Sequence, residues 1–375
     1  MENPELLQIE NLTVHYGKDT ALQIEHPISI RKGDRVGIIG ANGAGKSTLI
    51  KSILRLVNYQ GSIHTNLTME QIATHMQFNE YTDTMPTRYI MEAILQTKIS
   101  QDKKLQELIS YFEFEDCLRK KYSKLSGGQK QRFTIIMVMM QDAPLTFYDE
   151  VTSGLDFETR QKLVEKMVSW YKNKDSSLCI VSHYYEELEH LANKLLILDK
   201  GHVIDYGKKD ELFQKYCGRA VIILNYSKEK ETVFQNYEKL ASPAHLIALS
   251  CETEEKEKEI IGLLLKHNMD YTRSSSDIEI IYTNAKEKIS AANIEIENKQ
   301  KEISAVKLSK IALEAQAEKI GKLNTELDLV YQRRDKIHND AMKKFDGILD
   351  DEQLDAWNAA KTKGIRLFTE LDEIR

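Results

Sequence analysis

The run Gly40-Ala41-Asn42-Gly43-Ala44-Gly45-Lys46-Ser47-Thr48 constrains this chain more than any other segment. It satisfies GxxxxGK[ST] in full and follows directly on an apolar strand candidate, Arg35–Ile39. Glycine lets the backbone curl so that successive N–H groups aim at one anion, and the helix starting near Lys46 adds its positive N-terminal end. In such a loop the lysine reaches the β- and γ-phosphates of a nucleotide and the hydroxyl of Ser47 is placed to ligate Mg²⁺. A glycine-rich turn without a nucleotide is the competing reading. Strand, loop, lysine and hydroxyl in this order argue against it.

The surrounding residues agree. Val36–Ile39, Leu145–Tyr148, Leu178–Val181 and Leu195–Leu198 are short apolar runs of the kind that form strands buried on both faces. Helical patterns over Thr48–Val57, Gln129–Met140, Phe157–Tyr171 and Tyr185–Leu191 alternate with them. Alternation of this kind predicts an α/β fold with a largely parallel core sheet. The first 25 residues and Gly201–Tyr206 read as shorter antiparallel strands. Leu145–Glu150 ends in two acids. At the C-terminal end of a strand beside the phosphate loop, Asp149 is placed to hold Mg²⁺ and Glu150 to face the attacking water as general base.

Leu125-Ser126-Gly127-Gly128-Gln129, upstream of these acids, matches the five-residue signature of ABC ATPases, and residues 1–217 resemble an ABC nucleotide-binding domain throughout. The resemblance implies a P-loop NTPase of ABC type, with an antiparallel β subdomain and a helical subdomain at about 86–140. It implies ATP and Mg²⁺ as cofactors. Tyr16 corresponds to the aromatic that stacks on adenine. Gln77, after the strand Gln71–Met76, corresponds to the glutamine that touches Mg²⁺ and water, with Gln71 as the alternative. Ser153-Gly154-Leu155-Asp156 corresponds to the D-loop, and His183 to the histidine that contacts the γ-phosphate. Gly40, Asn42, Gly43, Gly45, Lys46, Ser47 and Thr48 would hold nucleotide on one domain. Ser126 and Gly128 of a second domain would close over it, and Gly127, Gln129 and Asp156 are also expected among the nucleotide-binding residues. One copy of each motif is present, so the resemblance requires a second ABC ATPase subunit, expected as a homodimer. Val151 departs from the family, which usually has proline after the catalytic glutamate.

The longest apolar run in the middle of the chain, Ile135–Met140, is far shorter than the roughly 20 residues a membrane-spanning helix needs. The resemblance therefore implies a separate polytopic membrane permease, with this chain cytoplasmic and peripheral on the inner face of the membrane. Cys117, Cys179, Cys217 and Cys251 are widely spaced, which fits buried thiols. A net charge of −6 gives no general attraction to nucleic acid, and none is expected as a partner.

Two further regions are expected. Residues 218–285 read as a small α+β unit of ferredoxin-like kind: strand Ala220–Asn225, helix Lys228–Leu240, strand His245–Cys251, helix Glu254–Lys266 and a hairpin over Tyr271–Tyr282. This extension resembles that of bacterial drug and antimicrobial-peptide exporter ATPases of the bacitracin type, rather than the β-rich extension of maltose-type importers, and so points to export. Residues 286–375 hold no proline and carry 17 Lys/Arg against 18 Asp/Glu. That balance makes a solvated face more plausible than a nucleic-acid patch. Ile289, Ile296 and Ile303, then Leu313, Ile320, Leu323, Leu327, Val330 and Ile337, recur at coiled-coil spacing and predict a long helix, a turn after Gly347, and further helix. This region reads as a self-associating scaffold or a docking arm. A soluble ABC ATPase with a mechanical or regulatory role, or a peptide-immunity module without translocation, are the alternative functions.

Overall fold

The computed structural model describes residues 3–76, 81–172, 174–308 and 313–343. Its core is one ten-stranded sheet. Five strands run parallel in the order β9-β4-β8-β7-β6: β9 (Lys194–Asp199), β4 (Arg35–Ile39), β8 (Ser177–Val181), β7 (Leu145–Asp149) and, at the end of the sheet, β6 (Ile72–His75). Every residue of β7 and β8 is buried, as sheets covered by helices on both faces require. The antiparallel half is built from β1 (Glu5–Tyr16), β2 (Asp19–Ile24), β3 (Ile28–Arg31) and β5 (Gln60–Thr65), with β10 (His202–Lys208) bridging it to β9. β1 alternates buried and accessible residues along much of its length, the pattern of a strand with one covered face.

Helix α1 (Lys46–Ile53) follows β4. The helices α2 (Thr87–Leu95), α3 (Lys103–Tyr111) and α4 (Gly127–Met140) pack around Phe112, Phe114 and Phe133, all buried. Next come α5 (Phe157–Tyr171), α6 (Tyr185–Leu191) and α7 (Lys209–Cys217).

A second, four-stranded sheet follows. Its elements run β11 (Ala220–Asn225), α8 (Lys228–Val233), β12 (Lys239–Leu240), β13 (Leu246–Cys251), α9 (Glu254–Lys266) and β14 (Thr272–Ser274). All neighbours are antiparallel, in the order β12-β13-β11-β14. This is the split βαβ arrangement. Two sequence expectations fail here. The helix expected over Lys228–Leu240 stops at Val233, and its last residues form β12. The hairpin expected over Tyr271–Tyr282 has only one strand. Asp277 Oδ1 accepts a hydrogen bond from the Ile280 N–H, which caps a helix in place of a returning strand. Ile278, Ile281 and Ala285, spaced at three and seven, are all fully buried along one helical face.

That helix, α10 (Ile278–Leu308), crosses the boundary expected at 285/286 without a break. It turns back through α11 (Leu313–Lys343) as a helical hairpin. Ile303 and Leu323 are buried between the arms, with Ile320 and Leu327 beside them. Lys299 Nζ lies 2.5 Å from Glu326, and Arg333 3.8 Å from Glu295. The heptad residues of the two arms therefore meet each other. The hairpin also returns to the first domain: Lys215 Nζ donates to the Ile337 carbonyl at 2.6 Å and to Asp205 at 2.8 Å. The turn expected after Gly347 and the helix beyond it lie outside the described residues.

Candidate active site

Parallel strands deliver their C-terminal ends to one edge, and the order β4-β8-β7-β6 sets four such ends side by side. Lys46 follows β4, Ser182 and His183 follow β8, Asp149 closes β7 and Glu150 follows it. Gln77, beyond β6, lies outside the described residues. Gln71 does not replace it. It sits at the opposite end of β6, where its side-chain oxygen accepts from the Thr68 N–H in a capping box.

Two glycines of the loop have identifiable reasons. A Cβ on Gly40 would lie 2.4 Å from the Leu198 carbonyl oxygen, so no other residue fits between β4 and β9 there. Gly45 has φ +97° and caps α1, and a Cβ there would meet the Ala21 carbonyl at 3.0 Å. The close approach of Ala21 brings the β1–β2 hairpin alongside the loop. Tyr16 stands at the end of that hairpin, 49% exposed. Asn42 and Gly43 are exposed on the loop, and Ser47 and Thr48 are half-buried at the start of α1. Lys46 is 6% exposed, and its Nζ donates to the Gly40 carbonyl at 2.7 Å and to that of Ala41 at 3.1 Å. Its ammonium is thus held inside the curl of the loop. Burial pushes its pKa down, while Glu150 and Asp149 push it up.

Asp149 is 1% exposed. Burial raises its pKa, and a hydrogen bond with the Ser47 side chain opposes the rise. Its Oδ1 is buried with no hydrogen-bond partner among the described residues. A buried carboxylate oxygen without a donor is costly, and a hard divalent cation is the partner that carboxylate and hydroxyl oxygens suit. Asp149 and Ser47 thus fit Mg²⁺.

Glu150 has φ +52°, uncommon for a residue with a side chain. Its N–H donates to the Val181 carbonyl at 3.0 Å, extending the β7–β8 ladder by one residue. The reversal then turns its carboxylate towards β8, where Oε1 lies 3.0 Å from His183 Nε2. Val151, in place of the family's proline, is 1% exposed in the main core, so packing holds the turn that the proline ring would stiffen.

The signature residues form a separate structure. Ser126 caps α4: its Oγ accepts from the Gln129 N–H at 3.3 Å and its N–H donates to Gln129 Oε1 at 3.1 Å. Gly127 is exposed and open, while a Cβ on Gly128 would meet Leu155 at 3.2 Å. Gln131 Nε2 donates to the Ser153 carbonyl at 2.6 Å, tying α4 to the loop after Glu150. Asp156 is exposed and caps α5, its Oδ1 accepting from the Thr159 N–H at 3.0 Å. The sheet edge therefore gathers Lys46, Ser47, Asp149, Glu150 and His183, while the signature and Asp156 present themselves from helix N-termini. Sequence reasoning missed Glu187, a buried carboxylate on α6. Its only signal was its position one helical turn after His183.

Residues 26–153 match the profile of the ABC transporter family. The methionine import ATP-binding protein MetN of Lactobacillus johnsonii is 26% identical over 68% of this chain and 80% of its own. The linearmycin resistance ATP-binding protein LnrL of Bacillus subtilis is 28% identical over 59% and 75%. The thiamine import ATP-binding protein ThiQ of Photorhabdus laumondii is 28% identical over 58% and 97%. Among solved structures, an ATP-binding subunit of an ABC transporter shares the fold, with a TM-score of 0.52 at 24% identity over 56% of this chain and 93% of that one. The chain therefore carries the ATP-binding domain of ABC transporters, an ATPase that works on ATP with Mg²⁺.

Proposed function

We propose that this chain is the energising subunit of an export system, hydrolysing ATP at the edge of β4, β7 and β8 to drive a separate polytopic permease. The observation that carries the hydrolytic part is the 3.0 Å contact between His183 and Glu150, beside the orphaned Asp149 oxygen. Glu150 accepts the proton of the attacking water, and a base so positioned contributes about 10²–10⁴-fold. His183 keeps the Glu150 carboxylate aimed. Lys46 and the loop N–H groups meet the negative charge that builds on the phosphate. Bound between Asp149 and Ser47, with Gln77 as a third candidate, Mg²⁺ would supply further charge neutralisation. Tyr16 would stack on the base.

The signature requires a second subunit, whose Ser126, Gly127, Gly128, Gln129 and Asp156 would close over the nucleotide held by the first. One copy of each motif per chain supports this reading, with a homodimer as the simplest form. Among the described residues no helix is long and apolar enough to cross a membrane, which supports a permease on another chain and a peripheral place at the membrane's inner face. Exposed Tyr89 and Ile94 on α2 offer the permease an apolar contact. We further read residues 1–217 as the cassette and 218–285 as an accessory unit continuous with the hairpin.

Export of peptide or drug-like compounds is supported by the α+β extension and by the similarity to LnrL, a resistance protein. Import is the second reading, favoured by the longer match to MetN. Affinity purification of the full chain from its own membranes tests the proposal. A polytopic partner whose presence stimulates phosphate release is expected. Its absence would favour a mechanical or immunity role. Uptake against efflux in vesicles containing that partner separates the two directions.

A further inference from the structure

Glu187 is a buried carboxylate that takes no part in the hydrolytic pair. It lies on α6, 4% exposed, four residues after His183. Its Oε2 accepts two hydrogen bonds from two different loops. Thr152 Oγ1 donates at 2.9 Å, and Ser182 Oγ donates at 2.7 Å. Thr152 stands two residues after Glu150 in the reversal that follows β7, and Ser182 immediately precedes His183 at the end of β8. One carboxylate oxygen therefore staples together the chain segments that carry the two members of the 3.0 Å Glu150–His183 pair.

The staple is held in place. Glu187 Oε1 faces Arg160 Nε of α5 at 3.6 Å, and the Arg160 guanidinium stacks over the Tyr184 ring at 3.7 Å. Ser182 Oγ also accepts from the Tyr184 N–H at 3.0 Å, which fixes the turn carrying His183. Leu188 and Leu191, both almost fully buried, anchor the helix itself. Glu150 needs such support. Its left-handed backbone persists only where the surroundings determine it, and β7 alone ends one residue earlier.

We propose that Glu187 is a positioning residue for hydrolysis, holding the loops of Glu150 and His183 in register without touching the nucleotide. This rests on the roles assigned above to Glu150 and His183. An error of about 1 Å in a reacting group can cost roughly 10²-fold in rate. Nucleotide binding depends on the loop after β4, which Glu187 does not contact, so affinity and turnover should separate.

The test compares full-length Glu187→Ala, Glu187→Gln and Glu150→Gln with the parent chain, by phosphate release and by binding of a fluorescent ATP analogue. Glu187→Ala should lower kcat by about 10–100-fold while analogue affinity stays within about twofold. Glu187→Gln keeps an acceptor oxygen for both hydroxyls and should recover most of the lost rate. The double variant Thr152→Val with Ser182→Ala removes both donors, leaves Glu187 in place, and should reproduce the loss even if Glu187→Ala does not fold. A kcat near that of the parent in either variant, a parallel fall in affinity, or a Glu187→Gln enzyme as slow as Glu187→Ala overturns the proposal. A fully active Glu150→Gln chain would instead overturn the assignment of the base, and an inactive one beside an unslowed Glu187→Ala would remove the positioning role alone.

Discussion

The sheet edge and the C-terminal hairpin are built on opposite terms. At the edge, particular residues are held in particular places. A Cβ at Gly40 collides with backbone, Lys46 is folded into its own loop, and Glu150 holds an uncommon φ to face His183. In the hairpin, identity matters little beyond apolar or charged. Ile303 and Leu323 need only fill the seam, and the ion pairs beside it lie partly in water. Chemistry fixes atoms, whereas a helical seam fixes only a pattern. Changes at the edge should therefore remove function and spare the fold, and changes in the hairpin should do the reverse.

The sharpest way to break this contrast is Lys46→Ala. Losing a charge-assisted contact worth about 1.5–3 kcal/mol should weaken nucleotide affinity roughly 10–100-fold, as measured by equilibrium binding, with little change in unfolding. A large fall in stability instead would mean that the lysine is chiefly structural. Next is Lys215→Ala, at the joint between hairpin and first domain. It leaves Asp205, 1% exposed, without its cation, and should cost about 3 kcal/mol in urea unfolding. Bound nucleotide should still be hydrolysed where the protein remains folded. Val330→Ala, inside the hairpin, should cost about 1–2 kcal/mol for its two buried carbons and leave kcat unchanged. A drop in kcat there would show that the hairpin shapes the site. Lys299→Ala should be the smallest change, about 0.5 kcal/mol, because Glu326 opposite it is half exposed.

The same contrast explains what could be read from the sequence. The phosphate loop and the acids Asp149 and Glu150 at the end of β7 stood out in the sequence because each needs a particular residue at a particular strand end, whereas His183 was indicated by the family resemblance. Ser126 and Gln129 carry the S-x-x-Q spacing of a capping box, and the structure uses it. The run Asp277–Tyr282 misled because Ile278, Ile280 and Ile281 suit either a strand or a helix. The hydrogen bond from Ile280 to Asp277 decides for the helix, and Asp277 just before the apolar run was the N-cap signal that the hairpin reading passed over. The hairpin's heptads showed helices but not their partner, since a seam reads the same whether its mate is another chain or the returning arm. Glu187 was hidden for a related reason. It is one of three glutamates in Glu186-Glu187-Leu188-Glu189, and only the packing of α6 against the loops after β7 and β8 shows which one is buried.

The central claim is that the edge of β4, β7 and β8 hydrolyses ATP with Glu150 as the base. Steady-state phosphate release by Glu150→Gln, measured at saturating MgATP alongside equilibrium ATP binding, tests it most directly. The account predicts a kcat lower by about 10²–10⁴-fold with ATP still bound. A variant that hydrolyses ATP at the parent rate would contradict it.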